Sequence, residues 1–274
     1  MVRTRVAGLP SWVNSYGKNW IVAAAVGGLI GSASLSGAQP SARATDTLPF
    51  GDGERLTFLI HTTKFGNVGK AVMTLTGPVE VRGVETSVAS FDASAGIAFL
   101  KGKDATQSWI DLSRMTSLRY EKIEHRPFSS ARDSVEIYPD LHHWEAARGD
   151  SGTTMSDVPL DELSFIYFLR TVTLLPDSIY SFDRHYDKRR LPTTVRVVKH
   201  ETLSTPLGPF NTVEYEMHVV DARDYKEHGV LFLWISDDRC HLPVRIESVM
   251  PLLGNGIMTL QTATTPNCHY AETK

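Results

Sequence analysis

The sequence most conspicuously lacks a basic cluster. Its longest run of positive charge is Lys188-Arg189-Arg190, a turn-like triplet with Asp183 and Asp187 beside it, and the formal charge of the 274 residues is −3. Nucleic acid demands a basic face, so this composition argues against that partner. Strong attraction to an anionic membrane surface is disfavoured for the same reason. No repeat of 20–50 residues occurs, which argues against a propeller or solenoid. The His-Glu-x-x-His spacing of catalytic zinc and the lipase Gly-x-Ser-x-Gly elbow are both missing. Asp221–His228 lacks the spacing and the glycine of an EF-hand loop.

Long apolar runs are also scarce. The one candidate begins after Arg3, Arg5 and Lys18 and extends from Trp20 to Ile30, then continues through Gly31–Leu35 to Ser36-Gly37-Ala38. A basic start, an apolar middle and small residues before Gln39 are the pattern of an export signal cleaved after Ala38. The uninterrupted part is about 11 residues, or about 17 Å as a helix, short of a ~30 Å bilayer. Extended to Ala38 it just spans, so an uncleaved anchor is the alternative. No further transmembrane domain is expected. Removing the three basic residues takes the formal charge from −3 to −6. The expected organisation is a signal over 1–38, a disordered leader over 39–49, one β-rich domain over 50–266 and a tail over 267–274.

Strand signals dominate the remainder. Leu56, Phe58 and Ile60 share one face, and Val68–Thr76 follows a Gly66-Asn67 turn, which makes a hairpin. Val84–Phe91, Ile97–Leu100, Ser108–Leu112, Ser117–Glu124, Asp133–Tyr138 and His142–Ala147 continue a meander. A second meander of five strands starts at Thr193–Leu203 and crosses Thr205–Pro209. There Val213, Tyr215, Met217 and Val219 alternate with polar neighbours, as in a sheet with one wet face. Its last three strands lie in Gly229–Thr264.

One helix is expected between the halves, from Leu160 to Leu175, with Asp157 as cap, Pro159 in the first turn and Pro176 as terminator. Asp161 and Glu162 suit its positive end. Leu163, Ile166, Tyr167 and Leu174 lie on one face, Phe165, Phe168, Leu169 and Val172 on another. A helix against one sheet needs only a single apolar stripe. This one is therefore wrapped on all sides, packed on a second element, or the wall of an apolar cavity. In the last case Phe165, Phe168, Leu169 and Val172 are the candidate ligand-binding residues.

Only two cysteines are present, Cys240 and Cys268. If Leu242–Met250 and Gly256–Thr264 form a hairpin, facing positions add to about 507. The cysteine positions add to 508, which predicts a disulfide just beyond the strand ends. Two reduced thiols, one on a loop and one in the tail, are the alternative.

The segments Phe50-Gly-Asp-Gly-Glu-Arg-Leu56, Gly69-Lys-Ala-Val-Met-Thr74, Pro159-Leu-Asp-Glu-Leu-Ser164 and Tyr167-Phe-Leu-Arg170 resemble, in order and spacing, a family of exported bacterial β-proteins, domain of unknown function 3108. Ser204-Thr-Pro-Leu-Gly-Pro-Phe210, Trp234-Ile-Ser-Asp-Asp238, Leu242-Pro-Val-Arg-Ile246 and Gly256-Ile-Met-Thr-Leu260 continue the resemblance, which covers about Pro49 to Thr264. It departs where Asp161-Glu162-Leu163 interrupts the usual Pro-Leu-Ser helix start. The family is similar in architecture to the lipoprotein carrier and receptor half-barrels (LolA and LolB). This implies a mainly β fold with one central helix: a curved antiparallel sheet, a half-barrel or open barrel, made of two meanders. The resemblance carries no catalytic residues.

Candidate chemistry is thin. Gly149-Asp150-Ser151-Gly152 copies the nucleophile turn of trypsin-like proteases but lacks the histidine-bearing loop that the chemistry requires. His143 and Glu145 would share a strand face with His142 opposite, so two metal ligands converge at most, where catalytic zinc needs three. No catalytic residue, metal or cofactor is therefore expected. The reading favoured is a non-catalytic protein of the periplasm or cell envelope that binds an apolar small molecule or acyl chain. Its rival is an envelope structural or interaction module with a filled core, a protein partner and no small ligand.

Overall fold

A computed structural model describes residues 48–97, 100–126, 128–220, 228–250 and 254–270. The first meander comprises β1 (Glu54–Thr62), β2 (Gly66–Val81), β3 (Val84–Ile97), β4 (Leu100–Asp111), β5 (Thr116–Arg126), β6 (Ser129–Tyr138), β7 (His143–Ala146) and β8 (Ser151–Thr153). Helix α1 (Glu162–Leu169) follows. The second meander comprises β9 (Ile179–Phe182), β10 (Thr193–Thr205), β11 (Gly208–Val220), β12 (His228–Ser236), β13 (Pro243–Met250) and β14 (Gly254–Thr264).

All fourteen strands form one antiparallel sheet in the order β8-β7-β6-β5-β4-β3-β2-β1-β14-β13-β12-β11-β10-β9, which is not closed into a barrel. The pairing of β1 with β14 joins the two meanders, Leu56 facing Ala263 and Ile60 facing Met258. Among the described residues the fold is thus mainly β with a single α-helix, as the two-meander reading expects. A flat sheet of this size is unstable against curling. Six register shifts, at Thr57/Phe58, Ile60/His61, Thr76/Val79, Trp109/Ile110, Val197/Lys199 and Trp234/Ile235, supply local bends. Each such irregularity increases twist and turns the strand.

Alternation sets which face is buried. Leu56 and Phe58 on β1, Ala71, Met73 and Leu75 on β2, and Tyr215 and Met217 on β11 all face one core together with α1. The turn between β2 and β3 is Arg82-Gly83, both at positive φ (51° and 79°), the geometry of a two-residue hairpin loop.

Several boundaries differ from the sequence expectation. Val84–Phe91 and the chain up to Ile97 form one strand, because the Ala/Ser/Gly stretch Asp92–Gly96 keeps its ladder despite weak strand propensity. The turn before β2 falls at 63–65, with Gly66 at φ 69° leaving it. Strands β8 and β9 are short edge strands with too few residues to show a period.

The helix is half the expected length. Asp161, not Asp157, is its cap: the Asp161 carboxylate accepts from the backbone N–H groups of Leu163 and Ser164, and Ser164 Oγ accepts from the Asp161 backbone N–H. Asp157 instead lies beside His142 at the surface, at 3.4 Å. The helix ends at Leu169 because Arg170 turns into a buried ion pair and Thr171 and Thr173, both β-branched, follow it.

Cys240 and Cys268 form a disulfide across a separation of 28 residues. The hairpin register that suggested it differs: Arg245 faces Thr259 and Ser248 faces Gly256, three positions short of the expected pairing. The cysteines meet because the chain after β14 folds back. Thr265 Oγ1 donates to the Cys268 carbonyl at 2.8 Å, and the Asn267 amide donates to the carbonyls of Leu48 and Phe50.

Candidate functional site: the space between α1 and the sheet

Helix α1 is pinned at both ends. At its start, Ser108 Oγ on β4 donates to Asp161 Oδ2 at 2.5 Å, and Ser117 Oγ on β5 donates to Ser164 Oγ at 2.7 Å. At its end, Arg170 makes a bidentate pair with Glu54 of β1, both bonds 2.7 Å, and both side chains are fully buried. Arg170 Nε also donates to the His241 carbonyl at 2.9 Å. Burial opposes the guanidinium charge, but Glu54 overcomes it and raises the Arg170 pKa.

These contacts join three of the segments that carry the family resemblance. Phe50 meets Tyr167 edge-on at 5.0 Å between ring centroids, and the Arg170 guanidinium lies 4.7 Å from the Phe50 ring. The turn after β12 is shaped by Asp238, which accepts from Ser236 Oγ and from the Cys240 and His241 backbone N–H groups. Arg170 and Glu54 satisfy each other away from solvent, with Asp238 half-buried beside them, so this knot holds the fold.

Between the two pins, α1 and the sheet leave a cavity of about 90 Å³. Met73, Met217 and Met258 line it from the sheet, Phe165 and Ile166 from the helix. Tyr120 of β5 and Thr193 of β10 both reach it. Those strands stand nine places apart in the sheet order, about 43 Å if the sheet were flat. The sheet is therefore curled around the helix.

Of the four residues singled out in the sequence, Phe165 lines this cavity. Phe168 packs with Phe165 and Phe182 in an aromatic cluster, centroids 5.4–5.7 Å apart. Leu169 and Val172 are buried in the same core but do not border the cavity. Ile166, assigned to the other helical face, does.

One end of the cavity is polar, through Asp161, Glu162, His185 and Arg190. Burial pushes the Asp161 carboxyl up to about 6, against the hydrogen bonds from Ser108 and from the Ser164 backbone. Burial pushes Glu162 the same way, yet the Arg190 guanidinium paired with it and the nearby His185 hold it well below the usual carboxylate range. Arg190 is raised in return. Burial and the Arg190 charge lower His185, so its imidazole is neutral. His185 Nδ1 lies 3.0 Å from the Asp187 backbone N–H and 3.3 Å from the Asp187 carbonyl; the shorter contact, in which Nδ1 accepts, assigns the ring proton to Nε2. That Nε2 stands 3.8 Å from Glu162 Oε1, too far for a hydrogen bond. His185 Nε2, Glu162 Oε2 and Arg190 Nε are buried without hydrogen-bond partners.

Polarity continues along the inner face of the adjoining strands. Lys122 and Glu124 pair at 2.8 Å, and Arg126 bridges Asp104 and Glu124 at 3.1 and 3.3 Å. Burial lowers the Lys122 pKa. The inner surface is thus apolar over β1–β3 and β11–β14, and charged over the outer part of β4 and β5.

Sequence reasoning missed this polar end. Glu162 reads as a helix-dipole charge and Lys188–Arg190 as a surface turn. The available signal was period two on β5, which puts Lys122 and Glu124 on the same face as Leu118 and Tyr120. Elsewhere, Ser151 lies exposed on edge strand β8, with no histidine bonded to it among the described residues. His143 stacks on Tyr138, and Glu145 accepts from the Tyr138 hydroxyl at 2.7 Å. No group of three or more metal-ligating side chains occurs among the described residues. The loop 221–227 lies outside them.

Among solved structures, the chain is similar to a β-barrel-like protein of domain of unknown function DUF1849 from Brucella abortus. The identity is 9% and the TM-score 0.50, over 77% of this chain and 97% of that one, a likeness of fold alone. It is also similar to a protein from Bacteroides fragilis described as exported, with a YmcC-like fold (15% identity, TM-score 0.33, 80% and 98% coverage). A protein from Parabacteroides distasonis described as a lipoprotein matches at 11% identity and TM-score 0.30, over 79% and 97% of the chains. No curated protein matches the chain in sequence. The profile of one family of proteins of unknown function, DUF3108, matches residues 57–261, and the chain belongs to that family.

Proposed function

We propose that the protein is a non-catalytic binding protein of the bacterial periplasm or cell envelope that holds an apolar, lipid-like ligand between α1 and the curled sheet. The observation that carries this reading is the cavity itself: an apolar chamber with one polar end, where three buried atoms lack a hydrogen-bond partner. Ligand sites have this composition, mostly apolar with a few fixed polar atoms. Three methionines line it, and methionine adapts its shape to what it packs against. Export is supported by the amino-terminal pattern and by the disulfide, which persists in oxidising compartments. Among the described residues no helix is long and apolar enough to cross a membrane.

A volume near 90 Å³ is below the roughly 300–1,000 Å³ of drug-sized sites. The ligand is therefore one slim chain, admitted end-on, with widening supplied by the methionine side chains. The same small volume favours the second reading, an envelope interaction module with a filled core. The test is a titration of the delipidated full chain with the uncharged fluorophore N-phenyl-1-naphthylamine. Saturable enhancement at micromolar concentration, weakened by Ile166→Asp at a half-buried lining position, is expected. An enhancement that never saturates, or that Ile166→Asp leaves unchanged, selects the filled-core module.

A further inference from the structure

The polar end of the cavity specifies the head of the ligand. We infer that it takes an uncharged hydroxyl group, of the kind carried by a long-chain alcohol or a neutral glyceride, bridging His185 Nε2 and Glu162 Oε2. This inference rests on the apolar-ligand reading above and adds the chemistry of the head to it.

Three buried atoms there lack a partner, and all three belong to residues lining the cavity: His185 Nε2, Glu162 Oε2 and Arg190 Nε. His185 is only 8% exposed. A buried polar atom left unpaired is destabilising, so such a group signals something that completes it. With the ring proton on Nε2, the unmet needs are two donors and one acceptor. A hydroxyl accepts from His185 or Arg190 while donating to Glu162, and an ether or an alkane cannot do both.

Charge excludes the obvious rival, a carboxylate or phosphate head. The Arg190 guanidinium is already paired with Glu162. Asp161 lines the same end and adds a second carboxylate. With His185 neutral, Asp161, Glu162 and Arg190 sum to −1, and an anionic head would enter a site that is already negative. An ammonium head would satisfy Glu162 but would set its own donors against His185 Nε2–H and Arg190 Nε–H.

The test is displacement of N-phenyl-1-naphthylamine from the full chain at neutral pH by three ligands of equal chain length: 1-dodecanol, dodecanoate and 1-methoxydodecane. Dodecanol should displace at about 10-fold lower concentration than either competitor, the effect of one or two buried hydrogen bonds. His185→Leu should narrow that margin to about 2-fold, while the methyl ether binds as before. Dodecanoate equal to or better than dodecanol would overturn the inference in favour of an anion site. Methoxydodecane equal to dodecanol would overturn it differently, leaving the three atoms to a resident water. Displacement by none of them contradicts the apolar-ligand reading itself. Should His185→Leu fail to fold, the ranking on the natural chain decides.

Discussion

At the scale of single residues, Glu54, Arg170 and Asp161 carry the account. Glu54 and Arg170 are fully buried and exchange two hydrogen bonds, so removing one charge strands the other. Glu54→Gln should lower the unfolding free energy by about 3–5 kcal/mol in urea denaturation; a loss under about 1 kcal/mol would mean that water reaches the pair. Asp161 gives a pH signature. Its carboxyl, raised to about 6, binds a proton more tightly in the folded chain than in the unfolded one. Its contribution to stability is therefore complete below about pH 4 and is lost as the pH climbs through about 6. Glu162 works the other way, stabilising above its usual range and failing in acid. Asp161→Asn keeps a capping acceptor without the titration. Urea unfolding between pH 4 and 7 should show the natural chain losing on the order of 2 kcal/mol relative to the variant; parallel curves would place Asp161 in contact with solvent. Neither role was legible in sequence. Arg170 and Glu54 stand 116 positions apart, and nothing local in either segment marks a partner.

At the scale of elements, strands were more legible than their limits. Alternation located β1 and β11 because one face of each is buried, and a one-residue error would invert the whole pattern. The three- and four-residue edge strands β8 and β9 carry no period. The helix misled for a physical reason: apolar residues continue from Leu169 to Leu175, but Arg170 is claimed by Glu54, and the helix stops. The disulfide was legible although its stated register was not, since the fold-back of 265–268 makes up the shortfall of the tighter hairpin. Closing a 28-residue loop stabilises by on the order of 3–4 kcal/mol. Reduction should lower the unfolding free energy by about that amount. An unchanged urea midpoint after verified reduction would show that the tail's hydrogen bonds alone hold β14 in place.

At the scale of the whole molecule, two meanders share one sheet through β1 and β14 and curl around a helix fixed at both ends. The same helix that is fixed by Asp161 and Arg170 at its ends also lines the cavity between them. The two-meander plan and the importance of the helix could be read in the sequence. The polar end of the cavity could not, because Asp161, Glu162, His185 and Arg190 are brought to strands β4 and β5 only by the curl. The central claim, that the space between helix and sheet admits an apolar chain, is tested most directly with the methionines. The chain has seven, and Met73, Met217 and Met258 line the cavity whereas Met155 is exposed. Methyl-carbon NMR of the full chain labelled at methionine, titrated with 1-dodecanol, should show saturable shifts of Met73, Met217 and Met258 with Met155 unmoved. Shifts of Met155 alone, or no shift at any of the three, would contradict it.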